Sequence, residues 1–150
     1  MKRLLIFITS IFLLFIFCIQ ANAQDSRRLY KYCKDFDLEG TYLTATCRQG
    51  IFGEHPNKWQ NTRINLQGKL CYYPNSHYPG LRVCGRMKGK EMQLDEIQAN
   101  SGLHVVLKKQ FPNSKQLYLC LKNDIVGIPL TNIVYREFGE LRFTRQFTGW

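Results

Sequence analysis

The stretch Cys33-Lys-Asp-Phe-Asp-Leu-Glu-Gly-Thr-Tyr-Leu-Thr-Ala-Thr-Cys47 constrains this chain more than any other. It sets two cysteines fourteen positions apart around a single glycine, Gly40. Leu38, a turn at Glu39-Gly40, and then Tyr42, Leu43 and Ala45 read as two short strands folded back on one another. A disulfide between Cys33 and Cys47 closes the open end of such a hairpin. In an oxidising compartment a loop of this size gains about 3 kcal/mol from the bond.

The N-terminus argues for that compartment. Lys2 and Arg3 make a basic start, Leu4 to Ile19 is almost wholly apolar, and Ala21-Asn22-Ala23 is a small-x-small cleavage site. The apolar run is short for a membrane span and no second one follows it. Residues 1–23 are therefore expected to be a signal peptide, and 24–150 a secreted, extracellular chain with no membrane span after cleavage. About 127 residues remain, enough for one domain with a real core and too few for two. Without Lys2 and Arg3 the 21 basic residues fall to 19 against 11 acidic, a net charge near +8. The basic residues are scattered, with small clusters at Arg27-Arg28, Lys108-Lys109 and Arg86 to Lys90. Scattered charge describes a solvated surface and not a nucleic-acid groove.

Cys18 leaves with the leader, so Cys33, Cys47, Cys71, Cys84 and Cys120 remain. Spacings of 14 and 13 suggest Cys33–Cys47 and Cys71–Cys84 as local pairs, with Cys120 left over. Cys120 is then either a buried thiol or the bridge of a dimer. No two cysteines have the C-x-x-C spacing of a zinc or redox site, and no metal or other cofactor is expected. His55, His77 and His104 each stand alone, and G-x-S-x-G, P-loop and calcium-loop patterns are missing from the sequence. The expectation is a binding protein and not an enzyme.

Trp59 to Leu66, Leu103 to Leu107, Gln116 to Lys122, Leu130 to Tyr135 and Glu140 to Phe147 read as further strands. Met92 to Ala99 reads as a short helical turn, Arg48 to Lys58 as an exposed loop and Phe111 to Ser114 as a turn. Residues 71–90, with Tyr72-Tyr73-Pro74-Asn75-Ser76-His77-Tyr78-Pro79-Gly80, read as a cystine-closed excursion poor in core residues. The class is mainly β, a single small disulfide-bonded domain. An internal echo suggests two pseudo-symmetric hairpin repeats. Laid over one another, 33–54 and 120–140 match Cys33 to Cys120, Gly40 to Gly127 and Leu43-Thr44 to Leu130-Thr131.

Aromatic residues, among them Tyr32, Tyr42, Trp59, Tyr72, Tyr73, Tyr78 and Trp150, are plentiful and several fall in loops. Such rings stack on sugar C–H faces while Asn, Gln and Arg satisfy hydroxyls. Cys33 to Cys47 with Arg48-Gln49, followed by Trp59-Gln-Asn-Thr-Arg-Ile-Asn-Leu66, resembles the opening repeat of the cyanovirin-N homology family. Leu94 to Gly102 and Val134 to Phe143 are similar to its repeat-closing segment. The resemblance implies a secreted lectin of two tandem repeats that binds mannose-type oligosaccharides or glycoprotein glycans without metal. It also implies a site beside the cystine, formed by Lys31 and Tyr32 before Cys33 and by Arg48 and Gln49 after Cys47. Composition adds Trp59 as a stacking ring. The alternative is a basic secreted effector or inhibitor acting by protein contact through the tyrosine-rich segment 71–84.

Overall fold

Alternation of buried and outward side chains shapes the first and last strands of this chain. The computed structural model describes residues 29–50, 57–109, 116–124 and 126–148. The expected leader, residues 51–56 of the loop (with His55), the turn at 111–114 and Trp150 lie outside the described residues. The fold is mainly β, and among the described residues every strand pairing is antiparallel.

Strands β1 (Cys33–Glu39), β2 (Tyr42–Arg48) and β3 (Trp59–Asn65) form a meander in that order. Gly40 turns the chain between β1 and β2 with φ +59°, a region a side chain resists. On β2, Leu43, Ala45 and Cys47 are buried, and the alternate residues face outward. The register sets Cys33 directly opposite Cys47, and the two are bonded. A bulge between Lys34 and Asp37 interrupts β1, with Asp35 at φ +53°.

The segment expected to be an excursion poor in core residues is instead a hairpin. Strands β4 (Leu70–Tyr73) and β5 (Gly80–Val83) pair, and β6 (Met92–Gln93) adds to β4. Leu70, Cys71, Tyr73 and Leu81 are all buried. Most turn-forming residues lie at the tip, while the flanking Leu-Cys-Tyr-Tyr and Gly-Leu-Arg-Val pair as strands. The second disulfide, Cys71–Cys84, spans the base of this hairpin. Helix α1 (Leu94–Ala99) follows, its start tied by the Gln93 amide donating to Glu96 Oε2 at 3.0 Å. It buries Leu94 and Ile97, one helical turn apart.

Strands β7 (Val105–Lys109), β8 (Leu117–Leu121) and β9 (Ile128–Pro129) form a second meander. Helix α2 (Leu130–Ile133) leads into the hairpin β10 (Val134–Glu137) and β11 (Glu140–Phe143), and helix α3 (Arg145–Thr148) comes last. Two expected strands are thus shorter than the sequence implies. Leu130 and Ile133 are both fully buried three positions apart, which a helical turn achieves and a half-buried strand does not. Among the described residues Cys120 is the free thiol, 2% exposed in β8. A dimer bridge would require it to leave the core.

The expected superposition of 33–54 on 120–140 does not hold. Leu43-Thr44 lie in a strand and Leu130-Thr131 in a helix. Cys33 opens an edge strand, whereas Cys120 lies in the middle of a sheet. Gly127 does not share the positive φ of Gly40; it is small because a Cβ there would sit 2.5 Å from the Leu119 carbonyl. Repetition exists in another register. The pairing Leu43↔Ile64 with Leu38↔Leu43 in the first meander is matched by Leu119↔Ile128 with Leu107↔Leu119 in the second. After each meander one helical hydrogen bond closes, Leu70 N–H to Leu66 O and Val134 N–H to Leu130 O, and a hairpin begins. Each hairpin then packs across on the other half, β11 against β3 and β5 against β8. The apolar faces meet in one core around Leu43, Leu66, Leu94, Leu119 and Leu130.

Candidate functional site

Because Cys33 and Cys47 are opposed, the residues just outside them emerge together at the end of the first hairpin. Lys31 and Tyr32 sit on helical residues 29–32, and Arg48 and Gln49 follow on from β2. The register places Trp59 opposite Arg48. The Arg48 guanidinium lies 4.9 Å from the Trp59 ring centroid, and Lys34 Nζ lies 4.5 Å from the same ring. Lys31 Nζ lies 5.2 Å from the Tyr32 ring. Such cation–ring contacts contribute about 0.5–1 kcal/mol at exposed sites.

The five candidates fall into two clusters, Lys31 with Tyr32 and Arg48 with Trp59, and Gln49 has a different task. Its side-chain amide donates to Gln60 Oε1 at 3.0 Å, and its backbone N–H donates to the Lys58 carbonyl. Arg136 of β10 joins the clusters. It is 6% exposed, its Nε donates to the Arg48 carbonyl at 3.2 Å, its Nη2 donates to the Gly50 carbonyl, and its guanidinium lies 5.0 Å from the Tyr32 ring. Beside it the β10–β11 turn rests on the first sheet. A Cβ on Gly139 would come within 2.8 Å of Gln60 Nε2 and 3.2 Å of the Arg48 carbonyl, so only glycine seats the turn there. The neighbouring Phe138 is 58% exposed at φ +51°.

Lys34, Arg136 and Phe138 are the residues that sequence reasoning missed. Lys34 is accessible to it, since alternation along β1 sets it on the face of Thr46, its partner, and so beside Trp59. Arg136 and Phe138 reach the site from some 90 positions away through hairpin packing, which no local pattern encodes.

The outward face of the first sheet extends the site. Thr46 Oγ1 donates to Asn61 Oδ1 at 3.1 Å, and Arg63 lies 5.0 Å from the Tyr42 ring. A hollow of about 500 Å³ lies among Asp35, Glu39, Thr44, Thr46, Asn61 and Arg63. A second groove, of about 630 Å³, runs where β3 meets β11, bridged by the Leu141 N–H donating to Thr62 Oγ1. Hydroxyl, amide, carboxylate and cationic groups thus share one face of the sheet with half-exposed rings.

The other polar cluster is structural. Glu91 accepts from the Tyr73 hydroxyl, the Gly85 N–H and the Gln93 side chain. These bonds, that from Tyr73 first, hold its carboxyl below the usual glutamate range. Burial, followed by the bond to Glu91, raises the Tyr73 hydroxyl. Cys71 and Cys84 lie near Glu91 at metal-like distances, but their sulfurs are bonded to each other and offer no thiolate. His77 packs edge-on to Tyr78 at 4.7 Å. No family model matches this chain, and no curated protein matches it.

Proposed function

We propose that the protein is a secreted lectin of the cyanovirin-N type, which holds mannose-type oligosaccharides beside the Cys33–Cys47 bridge without metal and without chemistry. The observation that carries this reading is the pair of half-exposed rings, Tyr32 and Trp59, each with fixed cations beside it at the open end of the first hairpin. A pyranose stacks its C–H face on a ring while its hydroxyls replace water on Lys31, Lys34 and Arg48. The repeated order of a three-stranded meander and a hairpin supports it, because the resemblance implies two tandem repeats. Two disulfides suit an exported chain. Among the described residues no helix is long and apolar enough to cross a membrane.

The test is a glycan array on the mature chain, followed by titration of a mannose oligosaccharide against W59A. A loss of about tenfold in affinity is expected from one lost stacking ring, with a melting temperature lowered only by the few degrees that the two lost cation–ring contacts account for. A parent chain that binds no glycan refutes the reading. One observation favours the protein-contact alternative. Tyr78 is 70% exposed on the β4–β5 tip, which Ser76 and Arg82 hold rigid by bonds to the Tyr78 carbonyl. Rigid exposed tyrosines are good protein-contact anchors.

A further inference from the structure

The loop between β5 and β6 is a small closed structure of its own. All of residues 85–90, Gly-Arg-Met-Lys-Gly-Lys, are exposed. Both ends are held: Cys84 is bonded to Cys71, and the Gly85 N–H donates to Glu91 Oε2 at 2.8 Å, which draws the neck of the loop shut. Gly85 at φ +75° and Gly89 at φ +123° bend the backbone where a Cβ would meet nothing but strain. Within this neck the adjacent carboxylate, Glu91, is turned inward onto Tyr73, Gly85 and Gln93. Lys88 and Lys90 enter no ion pair among the described residues. Between Arg86 and Lys88 stands Met87, an apolar side chain 36% exposed.

We propose that this loop is a peripheral membrane contact, which seats Met87 at the headgroup boundary of an anionic bilayer while Lys88 and Lys90 engage the lipid phosphates and carboxylates. Cations alone would suit any polyanion. An apolar side chain set among them suits a surface that has an apolar layer beneath its charge, which a sulfated polysaccharide lacks. Holding the loop at both ends removes most of the ordering cost of docking. The contact is separate from the carbohydrate reading and stands whether or not that reading does.

Co-sedimentation of the mature chain with vesicles tests it, using phosphatidylcholine alone and phosphatidylcholine with about one third phosphatidylserine, at about 0.1 M salt. Binding to the mixed vesicles only is expected. K88A/K90A should weaken it by about 25-fold, near fivefold for each cation. M87S should weaken it by about fivefold and leave binding to heparin unchanged. K109A/K122A, which removes equal charge from exposed positions at the end of β7 and just past β8, should have the smaller effect, and melting curves of all variants should coincide with the parent. Equal losses in the two double variants would mean diffuse charge and overturn the proposal. So would indifference of vesicle binding to M87S, which is the behaviour of a polysaccharide contact, or equal binding to both vesicles.

Discussion

Substitutions at Phe138 should follow an order opposite to that of an ordinary turn. Glu137 and Glu140 are paired, so Phe138-Gly139 is a two-residue connection. Its φ values of +51° and +84° are those of a type I′ turn, which favours Asn-Gly. A bulky side chain in the left-handed region costs about 1–2 kcal/mol. The ring recovers little of that, being 58% exposed. Alanine at 138 would lose the ring and keep the strain; glycine or asparagine would lose the ring and relieve it. F138G and F138N should therefore exceed F138A in stability by about 1 kcal/mol, near 3–5 °C in melting temperature for a domain of this size. Where φ is negative the order reverses, and alanine exceeds glycine by about 0.4–1 kcal/mol. Urea unfolding of the three variants decides it. F138A equal to or more stable than F138G would refute the turn geometry, and with it the view that Phe138 is held outward at a cost to the fold.

Other outcomes rest on single contacts. C33S/C47S should lose about 3 kcal/mol of unfolding free energy, read by denaturant titration. G127A should lose about 1–3 kcal/mol, because its Cβ would press on the Leu119 carbonyl at 2.5 Å and Cys120 Cβ at 2.8 Å. Glu91 is lowered in the folded state, so its contribution is complete above the ordinary glutamate range and fades as pH falls through the lowered value. Tyr73 is raised, so its contribution is complete below the ordinary tyrosine range and fades as pH climbs through the raised value. E91Q should flatten the acid side of a stability-against-pH curve; an unchanged acid side would show that other carboxylates set it.

Much of the fold is legible along the chain wherever the pattern is local. The hairpin from Cys33 to Cys47, its turn at Gly40 and both disulfides are legible in spacing and alternation, because a strand pair joined by a tight turn fixes its own register. Short helices are harder. Leu130-Thr-Asn-Ile133 has two apolar ends and a β-branched residue at each of its second and fourth positions, so four residues do not tell a strand from one helical turn. The fully buried pair decides it, and burial belongs to the tertiary fold. The tyrosine-rich segment misleads for the opposite reason: Pro74, Asn75, Ser76 and Pro79 at the hairpin tip outweigh, in composition, the strands on either side.

The repeat shows why identity matches alone are a poor guide to equivalence. Aligning Cys33 on Cys120 keeps the letters and changes roles, from disulfide partner on an edge strand to buried thiol in a central one. Aligning by what each residue does brings Leu43 to Leu119, Ile64 to Ile128 and Leu66 to Leu130, leucines and isoleucines too common to signal a duplication by themselves. The same register explains the make-up of the candidate site. Each hairpin crosses to the other half, so the β10–β11 turn arrives beside Arg48 and Gln60, and Arg136 reaches Tyr32. The surface beside Cys33–Cys47 is thus assembled from both halves of the chain. Cutting the link between the halves should disorder that surface even where the first meander keeps its disulfide.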